Sequence, residues 1–224
     1  MTYQPLERRP IAARNTKTAA RVATWLARRN CSPNGISVAG MICGILAGIS
    51  FALTPLVNEV LARVLFLAGA LFIQLRLLAN LLDGMVAVEA GKASPVGELY
   101  NDVPDRISDA ATLIGAGYAL GGAPAFGYLA ACVALLTAYV RAMGRGAGAT
   151  QEFCGPMAKQ QRMFVMTVAA IYCGSAPAAW QPSWGDSGNW GLSAAALLLI
   201  IVGGTITAVR RLFRIAAQLR LKNP

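Results

Sequence analysis

Mainly apolar stretches recur six times along this chain, at about residues 36–54, 59–88, 97–120, 125–143, 160–178 and 190–209. A helix needs about 20 such residues to cross the hydrocarbon core of a bilayer. The pattern therefore predicts an all-α polytopic membrane protein of six transmembrane helices. Ahead of them, residues 17–30 (KTAARVATWLARRN) alternate Ala20, Val22, Ala23, Trp25 and Leu26 with Arg21, Arg28 and Arg29. This period predicts a basic amphipathic helix, which either lies on an anionic membrane surface or caps the bundle. Residues 1–16 read as irregular, and the first 30 residues lack the apolar core and cleavage site of a signal peptide. Ser32-Pro33-Asn34-Gly35 reads as a turn, with Ser37 as a cap for the helix that follows. In that helix Gly40, Gly44 and Gly48 recur every four residues, a small-residue groove for close helix packing.

Composition agrees with the pattern. The 224 residues are 56% hydrophobic and only 13% charged, against about 25% charged in soluble domains, so the chain reads as one membrane domain over residues 1–224. Net charge is +10 with no histidine, which removes histidine as a metal ligand or general base. No aromatic or glycine-rich nucleic-acid motif accompanies the basic residues, so no nucleic-acid partner is expected. Their placement follows the positive-inside rule instead. Lys and Arg crowd the segments before the first span, at Lys92, around Arg141, Arg145, Lys159 and Arg162, and after the last span. The alternate loops near 55–58, 121–125 and 181–189 carry none. This arrangement predicts both termini on the cytoplasmic side of a bacterial inner membrane. Trp180, Trp184 and Trp190 suit an interfacial belt, and the scattered Cys31, Cys43, Cys132, Cys154 and Cys173 read as small apolar residues.

One stretch breaks the apolar pattern. Between Asn80 and Asp109 lie six of the 10 acidic residues, among them Asp83, Glu98, Asp102, Asp105 and Asp109. Ionisable groups at membrane depth cost roughly 2.5–3.5 kcal/mol each and generally line a polar cavity. On helices, Asn80 and Asp83 share one face, and Glu98, Asp102, Asp105 and Asp109 form one stripe, bordered by Asn101. Oxygen ligands without His or Cys suit a hard cation, Mg²⁺, Mn²⁺ or Ca²⁺, and Mg²⁺ or Mn²⁺ is expected, Mg²⁺ being typically held by one or two carboxylates together with substrate phosphates. Gly84 and Gly97 leave room for a bulky polar ligand. The plainer reading is an acid paired with Arg76 or Arg106 for structure alone.

Residues 80–105 resemble the signature of the CDP-alcohol phosphotransferase (CDP-alcohol phosphatidyltransferase) family, D-x2-D-G-x2-A-R-x8-G-x3-D-x3-D. Asp83, Gly84, Ala87, Gly97 and Asp105 match in register, whereas Asn80 and Asn101 replace aspartates and Val88 replaces arginine. The Pro33-Asn34 element and the Tyr139-Val140-Arg141-Ala142 ending of the fourth span are similar to the family too. The resemblance implies metal-dependent transfer of a substituted phosphate from a CDP-linked donor, such as CDP-diacylglycerol, to an alcohol acceptor, with release of CMP. It implies Asp83 as metal ligand and Asp105 as ligand or catalytic base. Asn80 and Asn101 become weakened ligands, with Asp102 a replacement carboxylate. Gly84, Ala87, Gly97 and Asn34 fall to the donor, and Arg141, Lys159 and Arg162 to an acceptor phosphate. A homodimer is a further expectation, which the glycine groove would serve as well as it would serve packing within the monomer. Two rivals stand beside this reading: a silent relative that binds nucleotide or lipid as a partner subunit, and a cation transporter.

Overall fold

Ser32 decides where the first long helix begins. Its Oγ accepts from the Gly35 N–H at 3.4 Å, and Pro33, which has no N–H to lose, takes the first helical position. The stretch predicted as a turn is thus the opening of a helix, and Ser37 lies inside it rather than capping it. Thr16 and Asn58 cap two other helices in the same way, accepting from Ala19 N at 3.3 Å and Leu61 N at 3.0 Å.

The structure, a computed structural model, describes residues 16–91, 95–185 and 189–222. Its helices are α1 (Lys17–Arg28), α2 (Pro33–Leu53), α3 (Glu59–Glu89), α4 (Pro95–Gly117), α5 (Pro124–Gly146), α6 (Lys159–Ser175) and α7 (Leu192–Lys222). Short 3₁₀ turns lie at Thr54–Leu56 and Ala178–Trp180. Among the described residues strand pairing is limited to one bridge between Trp184 and Trp190. Lys92 and the side chain of Glu98 lie outside what the structure describes.

Helices occur at all the predicted positions, and four of them, α2, α3, α5 and α7, are long and apolar enough to cross a membrane. The other two differ for physical reasons. The first half of α4 carries the acidic stripe, and the 17 residues of α6 rise only about 25 Å at 1.5 Å per residue. Helix α7 does not end near residue 209 but continues to Lys222, because no glycine or proline interrupts the basic segment after Gly204. Outward faces of the bundle carry exposed Leu46, Ile49, Leu71, Leu129, Phe164 and Val202, as a lipid-facing surface requires.

The glycine groove is used inside the chain. A Cβ at Gly40 would stand 2.9 Å from Ala79 Cβ on α3, and one at Gly48 would stand 2.8 Å from the Ala111 carbonyl carbon on α4. These contacts let α2 lie against both helices that bear the acids. Helix α1 packs on the bundle, with Ala23 joining Leu82 and Val86 in a small apolar cluster, while Trp25 stays exposed.

Gly48→Ala is expected to lower stability by about 1–3 kcal/mol, the usual effect of overpacking. Thermal unfolding in detergent will read it. Gly146→Ala, where nothing lies within 4 Å of the new Cβ, should leave the melting temperature unchanged or higher. Equal melting temperatures would mean that α2 and α4 are not held this closely.

Candidate functional site

The polar ends of α3, α4, α5 and α6 meet at one end of the bundle, together with the start of α2 and the basic half of α7. Along α4 the three described acids sink progressively: the Asp102 side chain is 50% exposed, Asp105 11% and Asp109 2%. Three environments follow from that gradient.

Deepest, Asp109 is held between Arg76 Nη2 of α3 at 2.5 Å and Arg162 Nη2 of α6 at 3.0 Å. Arg76 also donates from Nε to Ser108 Oγ at 2.6 Å, and Arg162 donates from Nη1 to the Met157 carbonyl at 3.2 Å. Both guanidinium groups are buried. Two cations around one carboxylate leave a net positive charge, and the buried Nε of Arg162 has no hydrogen-bond partner among the described residues.

At the middle level the signature residues of α3 and α4 bond crosswise. Asn80 Nδ2 donates to Asp105 Oδ1 at 2.6 Å, and Asn101 Nδ2 donates to Asp83 Oδ1 at 3.4 Å. Asp83 also accepts from Ser37 Oγ at 2.6 Å and from the Gly84 N–H at 2.5 Å. Lys159 Nζ of α6 reaches Asp105 Oδ1 at 2.5 Å, and Arg106 lies 3.6 Å from its other oxygen. Nearest the surface, Asp102 is engaged by Arg141 of α5 at 3.0 Å and by Arg106 at 3.3 Å. Asp102 therefore faces arginines rather than supplying a carboxylate to the Asp83 and Asp105 pair.

These groups surround a cavity of about 440 Å³. The predicted residues Asn80, Asn101, Asp102, Asp105, Arg141, Lys159 and Arg162 line it. Asp83 is buried beside it through Asn101, whereas Gly84 and Ala87 on α3, Gly97 at the start of α4 and Asn34 at the start of α2 are not in its wall. Arg211, Thr137 and Gln160 line the cavity without having been singled out in the sequence. Arg211 Nε donates to the Cys154 carbonyl at 2.9 Å, and Nη1 donates to the Thr137 carbonyl at 2.9 Å. Nothing in the basic run Arg210, Arg211 and Arg214 distinguishes the one that turns inward. Ser37, read in the sequence only as a cap, was missed as a partner of Asp83; the signal that could have found it is that it continues the face of Gly40, Gly44 and Gly48 that packs on the acidic helices. Cationic donors clustered beside a carboxylate, in a pocket partly shielded from water, suit a phosphorylated ligand whose hydroxyl meets the carboxylate.

The fold and the site together define a membrane-embedded helical bundle with a polar, phosphate-suited cavity at one end. Residues 30–206 match the family described as CDP-alcohol phosphatidyltransferase. An archaetidylinositol phosphate synthase from Pyrococcus horikoshii is 27% identical over 154 residues, 68% of this chain and 76% of that protein. A phosphatidylinositol phosphate synthase from Streptomyces avermitilis is 26% identical over 209 residues, covering 91% and 80% respectively. The crystal structure of Mycobacterium tuberculosis phosphatidylinositol phosphate synthase with CDP-DAG bound superposes with a TM-score of 0.69 at 20% identity, over 89% of this chain and 94% of that one. Its complex with manganese and citrate gives a TM-score of 0.69 over 88% of each chain. At that identity the likeness concerns the fold. The chain belongs to the CDP-alcohol phosphatidyltransferase family and is a transferase of phospholipid biosynthesis.

Removing Asp109 leaves the buried Arg162 guanidinium without its ion pair and Arg76 with only the 3.6 Å contact to Asp105. Asp109→Asn is expected to destabilise by about 3–5 kcal/mol, read as a large fall in melting temperature or loss of the folded protein. Asp102→Asn, at a half-exposed position, should stay within about 1 kcal/mol of the parent. A similar effect for both would remove the buried triad from its structural role.

Proposed function

We propose that this chain transfers a phosphatidyl-type group from CDP-diacylglycerol, or a similar CDP-linked lipid, to a hydroxyl of a phosphorylated polyol of the inositol-phosphate class, releasing CMP. The observation that carries the acceptor class is the cationic wall of the cavity. Lys159, Arg162 and Arg211 line the same cavity as Asp105, and among the described residues the buried Arg162 Nε has no partner. A phosphate is the acceptor group that such a wall would recognise. The relatives named as inositol phosphate synthases support the same reading.

Asp105 is the proposed base. The acceptor oxygen attacks the phosphorus that bears the lipid, the bond from that phosphorus to the bridging oxygen of the diphosphate breaks, and CMP departs. The hydroxyl proton passes to Asp105. Lys159 Nζ lies 2.5 Å from Asp105 Oδ1. An acceptor phosphate competes for that ammonium and frees the carboxylate for the proton. Asp102, Arg141 and Arg106 form the outer rim. Asn34, Gly84, Ala87 and Gly97 fall to the donor side, on α2, α3 and the first turn of α4, outside the acceptor cavity.

The donor set fits a hard divalent cation, Mg²⁺ or Mn²⁺, because Asp83, Asp105, Asn80 and Asn101 offer only oxygens for ligation. When bound, such an ion neutralises charge on the donor diphosphate. We place the site and both termini on the cytoplasmic face of a bacterial inner membrane, with all six long helices spanning it and α1 on its surface.

A second reading has its own observation. The Asn80–Asp105 and Asn101–Asp83 pairs give both carboxylates hydrogen bonds from the chain's own amides, as a silent subunit would allow. One assay separates the two: CMP release from CDP-diacylglycerol with Mg²⁺ or Mn²⁺, offered inositol phosphate, glycerol phosphate, free inositol or serine. Transfer to a phosphorylated acceptor alone is expected. Asp105→Asn should cut kcat at least about 100-fold, the lower range for a general base, and Arg162→Gln should raise KM for the acceptor at least about tenfold. No CMP with any acceptor would leave a binding protein in a transferase fold.

A further inference from the structure

We infer that the site of this chain holds one divalent cation, at Asp83, and that the ammonium of Lys159 takes the electrostatic place of a second one at Asp105. The inference deepens the transferase reading and rests on it. It comes from how each acid of the cluster is neutralised.

Asp109 lies between Arg76 and Arg162, and Asp102 between Arg106 and Arg141. Asp105 has Lys159 at 2.5 Å, with Arg76 and Arg106 each 3.6 Å away. Asp83 is different. Among the described residues it has no ion pair, and its partners are the Ser37 hydroxyl, the Gly84 N–H and the Asn101 amide. Its side chain is nevertheless buried. A buried carboxylate bonded only to neutral groups has no cation in direct contact, which a low-dielectric site makes expensive.

The Asp105 end is already occupied by positive charge. Lys159 Nζ and Asn80 Nδ2 converge on the same oxygen, Oδ1, at 2.5 and 2.6 Å. A divalent ion bound there would displace both donors and sit against the ammonium and the nearby guanidinium groups. Charge at the signature positions argues the same way. Aspartates at 80, 83, 101 and 105 would together carry four negative charges, enough for two divalent ions. Asn80 and Asn101 leave two, and Lys159 offsets one of them. No group of three carboxylate, thiol or imidazole side chains converges among the described residues as a metal cage. One carboxylate completed by neutral oxygens and substrate phosphate is how Mg²⁺ is commonly held.

The test counts Mn²⁺ on the purified full chain in lipid nanodiscs, by electron paramagnetic resonance titration with the metal alone and then with CDP. One Mn²⁺ per chain is expected for the parent and none for Asp83→Asn. Lys159→Gln, and independently the double variant Asn80→Asp with Asn101→Asp, should bind a second Mn²⁺ at least tenfold more tightly than the parent does. Two equivalent ions on the parent, no ion on the parent, or an ion retained by Asp83→Asn would each overturn the inference. Lys159→Gln keeps it open to refutation should the double variant fail to fold. A parent that releases CMP but binds two Mn²⁺ fails this inference alone. One that binds a single Mn²⁺ yet transfers to no acceptor fails the functional reading instead.

Discussion

The buried triad of Arg76, Asp109 and Arg162 constrains everything around it. Charges this deep persist only when paired and hydrogen-bonded, so the three side chains fix where α3, α4 and α6 stand relative to one another. Their remaining donors extend the frame: Arg76 reaches Ser108, and Arg162 reaches Thr137 on α5 and the Met157 carbonyl ahead of α6. Of the three, Arg162 lines the cavity and carries the triad to its floor. The triad's surplus of one positive charge favours an anion there. The same groups that hold the bundle together thereby prepare the site.

Above the floor, close helix approach does the positioning. Gly40 lies against Ala79 and Asn80 of α3, and Gly44 against Ser108 of α4. With α2 this near, Ser37 can donate to Asp83 from the opposite helix. The crossed Asn80–Asp105 and Asn101–Asp83 pairs then tie α3 to α4 by bonds that aspartates at positions 80 and 101 could not make, because two carboxylates facing each other would repel. The asparagines thus turn a site that demands cations into one that is largely satisfied by its own side chains. Among the described acids of the cluster, Asp83 alone has no ion pair.

The pattern along the chain was enough to locate the helices. Apolar runs of about membrane length, broken by Pro, Gly and polar segments, leave no other way to satisfy the backbone in lipid. The acidic residues and their common faces were equally legible, because three- and four-residue steps on a helix are a local property. Local reasoning failed at Ser37, read as a cap when the bonding geometry of Ser32 and Pro33 starts the helix a turn earlier. It also failed at the end of α7, since a charged surface segment and a helical continuation share one composition.

By itself, then, the sequence determined an all-helical membrane chain whose acids gather at one end, with Lys159 and Arg162 nearby, because periodicity and charge placement are written locally. Which cation meets which acid was decided only by tertiary structure. Lys159 is 54 residues from Asp105 and Arg162 is 53 from Asp109, and no periodicity spans such distances. The same holds for Arg211, indistinguishable in its basic run until α7 packs against α5 and turns one guanidinium of three into the cavity. Pairing across helices is a property of packing, and packing alone left Asp83 as the described carboxylate of the cluster without an ion pair.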